Sequence, residues 1–335
     1  MYNRVNRDGR AISSNKKKES GIRSIQKRNF ILIKICPLLN VEGFLSLEEI
    51  FIIMKESKPP LNISQQILKI KSKKITIADE SKCIAFLKRN NYQKLFLFRS
   101  FFNPTSLTFE NLVNLYNLDI EIRNIIFYGL GIIESKLKTE LAYYHVLKDN
   151  NHGYLNSDYF FDKNFHSLFI KEIVKELNIP KKQPEMIKNH FNKYDDDPPL
   201  YKIIEIFSFG QISKFYSNML NTDKKALSKE NYDRIDIFIL KSWFIFLVEI
   251  RNACAHGTPL LTKKILYPPQ KLKSSTWDPI ENTDIRILFL VMKTVINDST
   301  EFDKIKIKLI DSLKSFNDLY SHSKLASMLS FLDTL

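Results

Sequence analysis

The sequence predicts an all-α fold, a helical bundle preceded by a small basic helical unit. Three observations carry this expectation. Glycine is scarce, eight in 335 residues, too few for the many tight turns of an all-β design. Apolar residues recur at steps of three and four over long stretches, the period of one helix face. With 44% hydrophobic and 12% aromatic residues, the chain also has the material for a substantial core.

The elements follow in order. Residues 1–28 are polar and basic without a clear period, the pattern of a flexible arm. Residues 29–57 form a short helical extension, in which Ser46 and Glu49 have capping-box spacing. Pro59 and Pro60 punctuate the chain after Lys58. The basic helical unit, 58–104, has helical spacing from Ile63 to Ile70 and a second helix for which Asp79 is the expected cap. Asn103–Pro104 ends it.

The bundle, 105–335, opens with the longest amphipathic pattern in the chain, over 108–148. Leu112, Leu115, Leu118, Ile122, Ile126, Leu130, Ile133, Leu137 and Leu141 trace one face. Glu134 and Lys138 have the favourable i, i+4 spacing on its exposed side. Gly129 and Gly131 each cost about 1 kcal/mol against alanine in a helix interior and mark a break or a close helix contact. Helices are expected at 200–220 and 231–256. A proline-punctuated loop then runs through Pro279, followed by terminal helices at about 283–297 and 301–332.

Charge is unevenly placed. Net charge is +14, and residues 1–101 hold 21 Lys and Arg against 8 Asp and Glu, leaving 30 against 29 in the remainder. A concentrated positive surplus attracts polyanions. The alternative is a solubilising tail, above all for 1–28. Over 58–101 the surplus is interleaved with Tyr92, Phe96, Phe98, Phe101 and Phe102, and aromatic faces can stack on bases, although several of these rings must also be core. Lys69, Lys71, Lys73, Lys74, Lys88, Arg89 and Lys94, with Tyr92 as a stacking ring, are therefore the candidate RNA contacts.

Other classes are disfavoured. Cys36, Cys83 and Cys254 are too few and scattered for a disulfide framework or a zinc cage, so a reducing cytoplasm is the expected compartment. The apolar runs at 30–36 and 243–248 fall far short of the ~20 residues that cross a bilayer, and no membrane association is expected. Asp195–Asp196–Asp197 have no histidine or further acid spaced to complete a metal shell. Neither a metal nor a cofactor is expected. SFGQIS, 208–213, has one glycine and is a turn or a tight helix contact, not a phosphate loop.

The stretch VEIRNACAHGTPL, 248–260, stands out. An apolar helix ends on Arg251, Asn252 and His256, where Gly257 and Pro259 signal a helix stop. Five residues correspond to ~140° of helix rotation. Arg251 and His256 can therefore converge only if the helix unwinds at its tip or if two copies meet. An imidazole exchanges protons near neutral pH, and a guanidinium holds a phosphate or the charge developing on it. Cleavage of RNA by its own 2′-hydroxyl needs those two functions. The other reading is that these are ordinary polar residues capping a helix.

RNACAH resembles the R-x4–6-H signature of HEPN ribonucleases. Three further stretches, 58–95, 115–144 and 198–219, resemble the opening segment, the long central helix and the next block of the Abi-like family of phage abortive-infection proteins (the AbiD/AbiF group). Together they cover roughly 58–260 in the family's order. The resemblance implies an all-helical HEPN-type bundle that dimerises so that two Arg–His pairs line one cleft, cutting RNA without metal and leaving a cyclic phosphate. On that reading His256 transfers the proton, Arg251 contacts the phosphate and transition state, and Asn252 supports them. Glu134 either orients a catalytic group beside the cleft or forms a surface ion pair with Lys138. RNA is the expected partner, including a structured noncoding RNA, together with a second copy of the chain. The alternative function is a non-catalytic protein that holds such an RNA or regulates a toxin.

Overall fold

The computed structural model describes residues 59–149, 151–179, 183–316 and 322–335. The expected arm at 1–28 and the extension at 29–57, with its Ser46–Glu49 capping box, lie outside the described residues. Among the described residues the chain is all-α: thirteen α-helices joined by turns, with no strand beyond two isolated bridges.

Local rules place the first helices. α1 (Ile63–Lys71) starts at a capping box, Asn62 with Gln65, and buries Ile67 and Ile70. α2 (Glu80–Leu87) is capped by Asp79, whose side chain accepts from the Lys82 amide. α3 (Tyr92–Phe96) runs into a 3-10 turn, Leu97–Phe101.

α4 (Phe109–Asp149) is one uninterrupted helix of 41 residues, roughly 60 Å long at 1.5 Å per residue. Its nine expected inward positions, Leu112 to Leu141, are all buried. The two glycines resolve differently. A Cβ at Gly129 would lie 2.4 Å from Met292 Cε and 2.8 Å from Ile305 Cδ1, so this glycine is a close helix contact. A Cβ at Gly131 would meet nothing within 4 Å. Neither breaks the helix.

α5 (Lys163–Leu177), α6 (Glu185–Phe191), α7 (Leu200–Ile203), α8 (Phe209–Asn218) and α9 (Asn221–Asn231) follow. SFGQIS is a helix start, where Ser208 and Gln211 form a capping box for α8. The segment expected as one helix from 231 begins later, at Asp236, the cap of α10 (Ile237–Ala255). α11 (Arg286–Ile296), α12 (Ser299–Lys314) and α13 (Ser323–Thr334) complete the chain, so the long terminal helix expected at 301–332 is two helices.

α4 is the axis, with α10, α11 and α12 packed along it. Residues 61–335 form one compact unit, and the expected boundary near 104 falls inside it. The physical reason is aromatic. Phe98 is fully buried, and Phe86 and Phe98 meet Tyr116 of α4 edge-to-face at 5.6 and 6.2 Å. The rings of 86–98 thus join the basic segment to the bundle core.

Candidate active site

α10 carries Trp243, Phe244, Phe246, Leu247 and Ile250 into the core, and this burial holds its C-terminal turn in place. The helix does not unwind before His256. The His256 amide donates to the Asn252 carbonyl at 3.0 Å, keeping helical register. Only then does Gly257 turn left-handed, with φ +65°. Its amide donates to Cys254 O at 3.2 Å and the Thr258 amide to Ala253 O at 2.9 Å, the paired bonds of a Schellman cap. Of the two routes by which Arg251 and His256 might converge, unwinding is therefore removed, and their ~140° separation persists.

The two side chains accordingly have different surroundings. Arg251 turns toward α4, its Nε 3.6 Å from Glu134 Oε2 and its guanidinium carbon 5.9 Å from the Phe127 ring centre. That nitrogen is buried without a hydrogen-bond partner, because 3.6 Å is too long for one. Asn252 and His256 are exposed, and neither side chain has a hydrogen-bond partner among the described residues. Glu134 thus stands beside Arg251, whereas Lys138 reaches Glu205, donating to its carbonyl at 2.9 Å and lying 3.8 Å from its carboxylate. The expected Glu134–Lys138 pairing gives way to these longer-range partners.

The loop leaving the helix is held by two carboxylates. Asp119, fully buried on α4, accepts the Leu260 and Leu261 amides at 2.7 and 2.8 Å and Arg123 Nε at 2.7 Å. Burial pushes its acidity toward the neutral acid, and the amides and guanidinium pull the other way. Glu249 receives Lys263 at 2.6 Å and the Leu266 and Tyr267 amides, the latter at 2.9 Å. Farther along, Trp243 stacks on Trp277 at 5.2 Å and donates to Gln270 O. Asp119 and Arg123 were absent from the sequence expectations. The available signal was an acid and a base four apart, with Asp119 one turn from Leu115 on the buried face.

The basic candidates separate into two groups. Lys69, Lys71, Lys73, Lys74, Lys88 and Arg89 are exposed, with Lys71 paired to Glu80 at 2.6 Å. Lys94 instead donates to the Gly257 carbonyl at 3.0 Å, tying the basic segment to the cap of α10. Among the aromatic rings, Tyr92 is half-buried, edge-on to Phe96 at 5.5 Å, and Phe98 is in the core. Phe101 and Phe102 pack on His322, 6.3 and 4.7 Å away. Phe98 alone of these is fully buried, against Tyr116 of α4, while the others are partly buried and packed against the core.

The remaining candidates are also located. Two histidines do approach the acidic loop, contrary to what spacing suggested. His152 Nε2 lies 2.6 Å from Asp197 O, and His190 Nε2 lies 3.1 Å from the Asp196 carboxylate. Among the described residues no group of three or more His, Cys, Asp or Glu is placed to hold a metal ion. Cys254 is buried, and desolvation pushes its thiol up to about 12, the environment of an inert cysteine. No helix among the described residues is long and apolar enough to cross a membrane.

Comparison with known proteins places this geometry within a family. A family model described as Abi-like protein matches residues 82–262. The match spans Lys94, the Asp119–Arg123 pair, Glu134 and the 251–256 segment. No curated protein and no solved structure matches the chain.

Proposed function

The chain belongs to the Abi-like protein family, and on that premise we propose that it is a metal-independent endoribonuclease of the HEPN type, acting in the cytoplasm in abortive-infection defence against phage. The observation that carries the reading is the contrast at the tip of α10. His256 presents an exposed imidazole with no partner among the described residues, while Arg251 is half-buried beside Glu134. A histidine near a helix C-terminus can bond the terminal carbonyls, and this one does not, which leaves its ring nitrogens available to a substrate.

The chemistry needs no more than these groups. His256 takes the proton of a 2′-hydroxyl as that oxygen attacks the adjacent phosphorus. Arg251 faces the charge that builds on the phosphoryl oxygens. The P–O5′ bond breaks, a proton passes to the departing 5′-oxygen, and a 2′,3′-cyclic phosphate remains. Because the two side chains diverge on an intact helix, a second copy is proposed to complete the pair, Arg251 of one facing His256 of the other. The exposed lysines of 69–74 and 88, with Arg89, supply sequence-independent phosphate contacts.

The test is cleavage of single-stranded RNA in the presence of EDTA by wild type and by His256→Ala. Positioned proton transfer contributes ~10²–10⁴-fold, so the variant should be nearly silent; undiminished cleavage by it would refute the assignment. Tight, salt-dependent RNA binding with no cleavage by the wild type would favour the alternative, a protein that holds a structured RNA.

A further inference from the structure

Gly257 is overlooked by two cations. A Cβ built on it would stand 3.6 Å from Lys94 Nζ and 3.7 Å from Arg123 Nη1. The two nitrogens thus stand over the same side of Gly257, a position held for glycine by its left-handed φ of +65°, directly after the exposed His256.

Neither cation is fully satisfied there. Arg123 is more than nine-tenths buried, and only its Nε has a hydrogen-bond partner among the described residues, namely Asp119. Lys94 places one N–H on the Gly257 carbonyl and keeps two more. Asp119 also accepts the Leu260 and Leu261 amides on its other oxygen, so both of its oxygens are engaged. The neighbouring Cys254 thiol is neutral. The Arg123 terminal nitrogens are not among the buried unpartnered atoms of the described residues and so reach solvent, and an anion with several acceptor oxygens can take charge-assisted hydrogen bonds from both cations.

We propose that Lys94 and Arg123 form a phosphate-binding subsite above Gly257, holding the phosphodiester next to the one cut at His256. The inference rests on the RNA-cleaving reading for its ligand and deepens it by naming where the strand enters. A contact of this kind fixes the register of the backbone and reads no base. Lys94 then supports both the cap of the helix that carries His256 and the phosphate beside it.

The experiment measures binding of a single-stranded RNA oligonucleotide to full-length protein as a function of salt, with all chains carrying His256→Ala so that nothing is cut. Lys94→Gln and Arg123→Lys are compared with the parent. The second retains a positive charge for Asp119 and removes the forked nitrogens. Lys94→Gln removes a charge and should make the log–log salt slope shallower by ~0.7 and weaken binding several-fold at moderate salt, with Lys94→Arg restoring both. Arg123→Lys keeps the charge and should weaken binding several-fold with little change in slope. If either variant melts earlier while its affinity and slope equal those of the parent, the residues are structural only and the subsite is wrong. Failure of the nuclease reading would be seen separately, as absent cleavage by the wild type with the slope difference intact.

Discussion

The carboxylate of Asp119 and the guanidinium of Arg123 meet at 2.7 Å, one turn apart on α4 and almost wholly out of solvent. The same carboxylate accepts two amides from the loop 141 and 142 residues later. One acid thereby fastens the start of the central helix to the segment that leaves the candidate site.

Removing that acid should be expensive. Asp119→Ala leaves a buried guanidinium without its counter-charge and two amides without an acceptor. Breaking a buried pair by deleting one partner costs about 3–5 kcal/mol. Urea unfolding should show the loss as a lower midpoint at an unchanged slope. A loss under 1 kcal/mol would mean that the loop is held by other contacts.

Arg251 and Glu134 give a kinetic prediction. Arg251→Lys keeps the charge but not the planar fork, and RNA cleavage should fall by at least ~10-fold, about 1.4 kcal/mol of barrier. Glu134→Ala should lower kcat more than it raises KM, because it frees Arg251 from its bearing against α4 without removing a substrate contact. Glu134→Asp should recover part of the rate. An unchanged kcat in Glu134→Ala would show the carboxylate to be a bystander.

Two glycines two residues apart should respond with opposite signs. Gly131→Ala meets open space and should stabilise the helix by up to about 1 kcal/mol. Gly129→Ala drives a methyl against Met292 and Ile305, themselves buried, and overpacking of that kind costs about 1–3 kcal/mol, more than the helix gains. Melting temperatures of the two variants should lie on either side of the wild type.

His145 makes stability depend on pH. Burial lowers its pKa to about 4 from 6.5, against a smaller raising effect of Asp223 and together with the Lys148 charge. It is packed parallel to Phe160 and edge-on to Phe215, with Nε2 unpartnered. Above pH 6.5 the residue is neutral folded or unfolded and contributes no pH dependence. As pH falls from 6.5 toward 4 the unfolded chain takes up a proton that the folded chain refuses, so stability declines, by about 3 kcal/mol in total at 1.36 kcal/mol per pH unit. His145→Phe should flatten that part of the stability profile. An equally steep decline in the variant would assign the effect to other groups.

The fold was legible where local rules act alone. The three- and four-residue steps from Leu112 to Leu141 locate α4 and its buried face, because helical period and burial are properties of a single segment. The expected cap at Asp79 follows from a side chain within three residues of the helix start, whereas the equally local capping boxes at Asn62 and Ser208 were not among the expectations. Which of the rings of 92–102 enter the core was not legible, because their exposure depends on segments such as α4 and the His322 region that are remote in sequence. Likewise the partner of Glu134 was sought four residues away, when a helix 117 residues later supplies it.

By itself the sequence determined an all-α chain, a basic first third, and an arginine and a histidine at the end of an apolar helix, since composition and periodicity are local quantities. The tertiary structure alone decided that this helix holds its register through His256, that Arg251 lies against Glu134, and that Lys94 and Arg123 gather over Gly257. Those outcomes depend on which faces of α4 and α10 the shared core turns toward each other. Burial energy summed over the whole unit sets that orientation, and no window of neighbouring residues contains it.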